Sequence, residues 1–165
     1  MKFNSNKIGY IIVIFLFFYA FLPTIAPVLV WLGDTAISSW IYSIYSFFCH
    51  QKSSRSIFIC GNQCGLCARC TFIWWSMFFS AFYTFVGFAK YYIKPLHWAV
   101  AAGFMLPMIL DGGLQFIATL VSIYTQTDPF YESTNTIRAI TGSLFGVGLG
   151  LFIFPLLKID LNNGK

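Results

Sequence analysis

Residues 49–70 read CHQKSSRSIFICGNQCGLCARC and hold all five cysteines of the chain, with one of its two histidines. Inside this stretch Cys67-Ala-Arg-Cys70 is a CxxC, the spacing at which two thiolates grip one zinc ion or close a redox disulfide. Cys49 and His50 precede it at a finger-like distance and can complete a tetrahedral site. Adjacent residues seldom bind one ion with good geometry, so only one of the two is needed. Three chemistries stay open at this point: a metal site, structural disulfides with one cysteine left over from the odd count, and thiol exchange. Cys60, Cys64 and Cys67 also spell CxxxCxxC, an iron–sulfur spacing, but between hydrophobic spans rather than in a soluble barrel, and the match is read as coincidence.

Other polar residues stand out because their surroundings are apolar. A carboxylate in a membrane span costs at least about 2.5–3.5 kcal/mol on insertion scales, so Asp111 must face a partner or a water-filled cavity. It is read either as one half of a buried ion pair with an arginine or as a metal ligand or general base. Gly112 and Gly113 leave room beside it, and Gln115 lies one turn further on the same face. Further on, Glu132-Ser-Thr-Asn135-Thr-Ile-Arg138 opens another span. Glu132 and Asn135 are suited to cap that helix and Arg138 to snorkel towards headgroups. Arg55, Arg69 and Arg138 gathered at one mouth favour an anionic group such as phosphate or carboxylate. His97, beside Trp98, reads as an interfacial histidine.

These residues need elements to position them, and composition restricts the choice. Of 165 residues, 58% are hydrophobic and only 9% charged, against about a quarter charged in an ordinary soluble domain. Part of the solvent must therefore be lipid. Four nearly uncharged runs reach the length of a spanning helix, at about 8–32, 71–89, 96–124 and 136–157. The first is longer than the apolar core of a signal peptide and reads as a retained span, with Pro23 and Pro27 bending its outer half. Residues 36–48 carry serines on one helical face and Trp40, Ile41, Tyr45 and Phe48 on the other, the pattern of a short interfacial helix. The expected fold is all-α: one domain over 1–165, a four-helix integral membrane bundle with that interfacial helix and a Cys-rich extracytoplasmic loop at 49–70. Gly142, Gly146 and Gly150 make one face of the last span nearly flat, suiting close helix packing or a homo-oligomer.

The net charge of +5 comes from basic residues scattered among hydrophobic runs, which is no nucleic-acid footprint. The bias of Lys and Arg in short loops sets orientation. With both termini cytoplasmic, Lys2, Lys7, Lys90, Lys94, Lys158 and Lys165 lie inside, and Lys52, Arg55, Arg69 and Arg138 lie outside. The expected location is the inner (cytoplasmic) membrane, with the lipid bilayer as partner.

In order along the chain come Cys49-His50-Gln51, Arg55-Ser56, Cys67-Ala-Arg69-Cys70-Thr71, Asp111-Gly112, and Glu132-Ser-Thr-Asn135-x-x-Arg138 with Gly142. This series resembles an uncharacterised family of small prokaryotic polytopic membrane proteins marked by CHQ and CxRC motifs. The resemblance implies a shared polar site at those positions. Cys60 and Cys64 stand outside the pattern, and Phe72 replaces the glycine that tends to follow CxRCT. The resemblance thus implies a local Cys60–Cys64 disulfide, with Cys49, Cys67 and Cys70 as the thiols of interest.

The leading expectation is a zinc site held by His50, Cys67 and Cys70, with Cys49 or Asp111 as the fourth ligand. If it is catalytic, Asp111 or Glu132 activates water near Arg138. Arg55, Arg69, Asn135 and Gln115 then hold an anionic lipid or small-molecule substrate. Two rivals remain. One is a quinone-linked thiol–disulfide oxidoreductase using the CxxC, and the other a non-enzymatic membrane subunit braced by a structural metal.

Overall fold

The computed structural model describes residues 5–87 and 94–163. Lys2, Lys90 and Lys165, which enter the expected orientation, lie outside them, as do the last two residues of the expected 71–89 span. Helix α1 (Ser5–Trp31) contains Pro23 and Pro27. A proline lacks the N–H that would bond the carbonyl one turn earlier, so these two free the carbonyls of Tyr19 and Pro23. Neither is left unpaired. The Tyr45 hydroxyl donates to Tyr19 O at 2.8 Å and the Cys64 thiol to Pro23 O at 3.2 Å. The two prolines therefore decide where the next two elements dock.

The first of those elements is α2 (Thr35–Ser46), which starts at Asp34, whose Oδ1 accepts from the Ile37 N–H at 3.1 Å. Ile41 and Tyr45 turn inward while Trp40, Phe47 and Phe48 stay exposed. The second is a hairpin. Where a loop is expected over 49–70, β1 (Ser56–Ile59) pairs antiparallel with β2 (Asn62–Cys67). Cys60 and Gly61 form the two-residue turn at φ 51° and 77°, the backbone that a primed hairpin turn requires. Pairing is irregular between Ser56 and Phe58, and opposite that bulge Cys64, Gly65 and Leu66 are buried in succession instead of alternating. They pack on α1, with Gly65 against Pro23.

Helix α3 (Ala68–Phe85) follows the hairpin without a break and lies between α1 and α5 (Asn135–Asn163), while α4 (Trp98–Thr125) packs on α5. A Cβ on Gly142, Gly146 or Gly150 would sit 2.6 Å from Arg69 O, 2.5 Å from Ile73 O or 2.5 Å from Ser80 Cβ. The small-residue face is thus consumed by α3 of the same chain. It is not open to a second copy, which corrects the expectation of a homo-oligomer through it. At one end of the bundle Phe85 lies against Gly9, Lys158 Nζ donates to Thr84 O at 2.7 Å, and Leu96 N–H donates to Leu151 O at 3.2 Å. That last carbonyl is the one Pro155 frees. The hairpin and the 126–134 segment lie at the other end.

Among the described residues three helices are long and apolar enough to cross a membrane, over Lys7–Trp31, Trp98–Thr125 and Asn135–Leu161. Four were expected. α3 has 18 residues, about 27 Å at 1.5 Å per residue, and its polar first turn shortens its apolar part further. Phe15, Phe18, Ile109 and Phe116 are among many large apolar side chains left exposed, an outside suited to hydrocarbon rather than water.

Candidate metal centre

Cys49 follows α2, Cys67 ends β2 and Cys70 lies in the first turn of α3. Their three Sγ atoms all lie within 4.8 Å of one another. Tetrahedral zinc with Zn–S near 2.3 Å requires sulfurs about 3.8 Å apart, so small side-chain adjustments suffice to grip an ion. Cys49 is buried above Leu66, Ile41 and Tyr45. The Cys67 backbone N–H points at its sulfur from 3.3 Å. Hydrogen bonds from the Cys67 and Cys70 thiols outweigh burial and hold the Cys49 thiol well below its ordinary pKa, while the same contact with Cys49 pushes Cys67 up. Three thiols this close titrate as one unit.

What fixes Cys49 is the next-but-one residue. Gln51, at φ 47°, sends its Nε2 to Tyr42 O at 2.9 Å and to Gly65 O at 3.0 Å. Gln63 Nε2 returns to Gln51 O and reaches Ser56 Oγ at 3.1 Å. The end of α2 is thereby stapled to β2 across the cysteines. The Tyr42 hydroxyl also bonds Gln63 O. Gln51 was quoted as part of a motif, but its role as a staple is visible only once the hairpin exists.

Beside the sulfurs is a cleft of about 330 Å³ lined by Phe48, Cys49, His50, Gln51, Lys52, Arg55, Cys67 and Cys70. His50 is exposed on its rim, and neither His50 nor Asp111 falls in the group of mutually close ligand atoms. Cys60 is exposed at the hairpin tip and Cys64 is buried against Pro23, both free, where the resemblance implied a disulfide. Burial raises the Cys64 pKa.

Asp111 is engaged elsewhere. It pairs with Arg69, and it accepts from the Tyr131 hydroxyl at 2.6 Å and the Ser133 hydroxyl at 3.0 Å. The ion-pair alternative is the one realised, at the level of the first turn of α3, and the carboxylate oxygens are committed to it. A Cβ on Gly112 would meet Arg69 Nη1 at 3.3 Å, so the glycine does leave room for the guanidinium. Tyr131 and Ser133 were not read as partners, although Tyr131 adjoins the ExxN block and Ser133 lies inside it. The carboxylate pushes the Tyr131 phenol up.

Arg138 does not snorkel; it is 2% exposed. Its Nη1 reaches Asn135 Oδ1 at 3.0 Å and Ser54 O at 3.5 Å, and its Nη2 is 3.8 Å from Glu132, itself mostly exposed. Asn135 in turn donates to Ser56 O at 3.2 Å, which ties α5 to the hairpin. The helix cap is Thr134, whose Oγ1 accepts from the Ile137 N–H at 3.3 Å, in place of Glu132 or Asn135. Gln115 is buried in α4, and His97 caps α4 by accepting from the Ala99 N–H. Arg55 Nε, Arg69 Nε, Arg138 Nη2 and Gln115 Nε2 are buried with no hydrogen-bond partner among the described residues. Each such orphan costs on the order of 1–3 kcal/mol, more on a charged group.

Residues 49–152 match the family model described as a predicted membrane protein, DUF2085. That span opens on Cys49 and takes in the three thiols, Asp111 and Arg138. An uncharacterised protein of Methanocaldococcus jannaschii is 32% identical over 152 residues, covering 88% of this chain and 89% of its own. One from Methanothermobacter thermautotrophicus is 30% identical over 118 residues, 72% of this chain and 95% of its own. No solved structure matches. The match covers more than half of the residues, including the whole thiol cluster, and the chain belongs to the DUF2085 family of predicted membrane proteins.

Proposed function

We propose that this protein is a membrane-embedded zinc protein whose ion is held by Cys49, Cys67 and Cys70, with the fourth coordination position open to the adjoining cleft. The observation that carries the reading is the convergence of three thiols from three separate elements to within 4.8 Å. Soft thiolates select zinc, copper(I) or iron–sulfur centres over hard cations. The amide aimed at the Cys49 sulfur favours thiolate there. An open position turns a bound water into a nucleophile near neutral pH. The reading is therefore a metal-dependent enzyme acting on an anionic, membrane-associated substrate, with Lys52 and Arg55 beside the ion to receive it. His50 stands at the rim rather than on the ion, and a site it closed would be structural.

The proposed setting is the cytoplasmic membrane with both termini inside. α3 makes the fourth span in this reading, its last turn meeting Gly9 of α1 and Lys158 of α5. Cobalt(II) loading tests the centre. The protein should show a thiolate-to-metal charge-transfer band that Cys67→Ser abolishes and His50→Ala leaves in place. A band that never forms would defeat the reading. The second reading, thiol exchange, is favoured by one observation: a CxxC at the start of α3 with a third thiol in reach.

A further inference from the structure

The buried, unpaired side-chain polar atoms among the described residues are Arg55 Nε, Arg69 Nε, Arg138 Nη2 and Gln115 Nε2. All four are N–H donors, and three belong to guanidiniums. They are not scattered. Arg138 Nη1 reaches the carbonyl of Ser54, the residue before Arg55, and α5 crosses α3 so closely there that a Cβ on Gly142 would meet Arg69 O, so the three arginines gather between the hairpin, α3 and α5. Asp111 neutralises Arg69. Glu132 approaches Arg138 only to 3.8 Å with its side chain 54% exposed, which screens that attraction strongly. Positive charge therefore remains, in a place where Arg138 is nearly sealed from solvent. Arg69 and Arg138 also sit in the first turns of α3 and α5, where both helix dipoles favour an anion. Donors without acceptors, three guanidiniums against two carboxylates and two helix starts call for the same chemistry.

We infer that the Arg55–Arg69–Arg138 cluster is a binding site for a phosphate-class oxyanion, seated next to the thiol cluster. Such a group offers several acceptor oxygens and matches guanidinium forks. Arg55 links the two sites, since it lines the thiol cleft and follows Ser54, whose carbonyl accepts from Arg138 Nη1 at 3.5 Å. The inference names the ligand class for the proposed centre and rests on that reading only for the ligand being a substrate. Binding itself needs no ion. A free phosphate and the phosphate of a lipid headgroup share this chemistry.

The test uses the full chain purified in detergent, with metal content measured on every preparation. Inorganic phosphate is titrated by calorimetry, and phospholipid retained through delipidation is read by native mass spectrometry. Two outcomes support the site. In one, phosphate binds and weakens about tenfold or more in Arg55→Gln and Arg138→Gln. In the other, a phospholipid adduct persists on the wild type and disappears from both variants, which assigns the source to lipid. Arg55→Gln guards against misfolding of the Arg138 variant, because Arg55 is only half-buried. Two outcomes overturn it: neither phosphate nor phospholipid binds a folded wild type, or Arg55→Gln binds them unchanged. Cys67→Ser separates this inference from the metal reading, because it should lose the ion and keep the oxyanion.

Discussion

Gln51 and Asp111 do the positioning, and neither touches the proposed ion. Gln51→Ala removes two hydrogen bonds to buried carbonyls, at roughly 1–3 kcal/mol. Thermal unfolding in detergent should shift down and metal affinity should fall with it, because Cys49 is no longer held against β2. Asp111→Asn leaves Arg69 with an uncompensated charge. Breaking a buried pair costs about 3–5 kcal/mol, and the low end applies here because Arg69 keeps some solvent contact. Metal content of the Asp111→Asn protein that does fold should be unchanged, and a loss of metal would place the carboxylate at the ion. Much of this scale was readable from residue types. Thiols at CxxC spacing and a carboxylate in an apolar run announce themselves because each is expensive where it stands. Their partners were not readable. Arg69 lies in another helix from Asp111, and Tyr131 and Ser133 reach it from a segment without periodicity.

At the scale of elements, proline and glycine carry the argument. Tyr45→Phe should cost about 1 kcal/mol by leaving Tyr19 O unpaired. In a Pro23→Ala background, where a restored N–H takes that carbonyl, the cost should nearly vanish. A double-mutant cycle on thermal or denaturant stability measures the coupling, and additive effects would refute the docking role given to Pro23. Gly146→Ala should destabilise by about 1–3 kcal/mol despite the better helix propensity of alanine, because its Cβ meets the Ile73 carbonyl at 2.5 Å. The glycine stripe was legible as a packing surface, but which helix it packs against is a tertiary fact. The hairpin was missed for a different reason. Its Cys-Gly turn is a strand signal, yet five closely spaced cysteines read more readily as a ligand loop, and the buried Cys64-Gly65-Leu66 run breaks the alternation that marks a strand.

For the whole molecule, the up-and-down course of α1, α3, α4 and α5 brings the hairpin, the thiols and the arginines to one end. In the proposed orientation, with both termini cytoplasmic, that end faces outside. Cys60, exposed on the hairpin tip, should then react in intact cells with a membrane-impermeant maleimide, and Cys60→Ser should lose the label. Labelling only after lysis would invert the topology. The central claim is that three convergent thiols hold an ion, and it is tested most directly on purified protein by metal content and free-thiol count. About one zinc per chain is the predicted result, lost in Cys67→Ser and kept in His50→Ala. No metal, with Cys67 and Cys70 oxidised and reducible, would contradict the account and make thiol exchange the working chemistry.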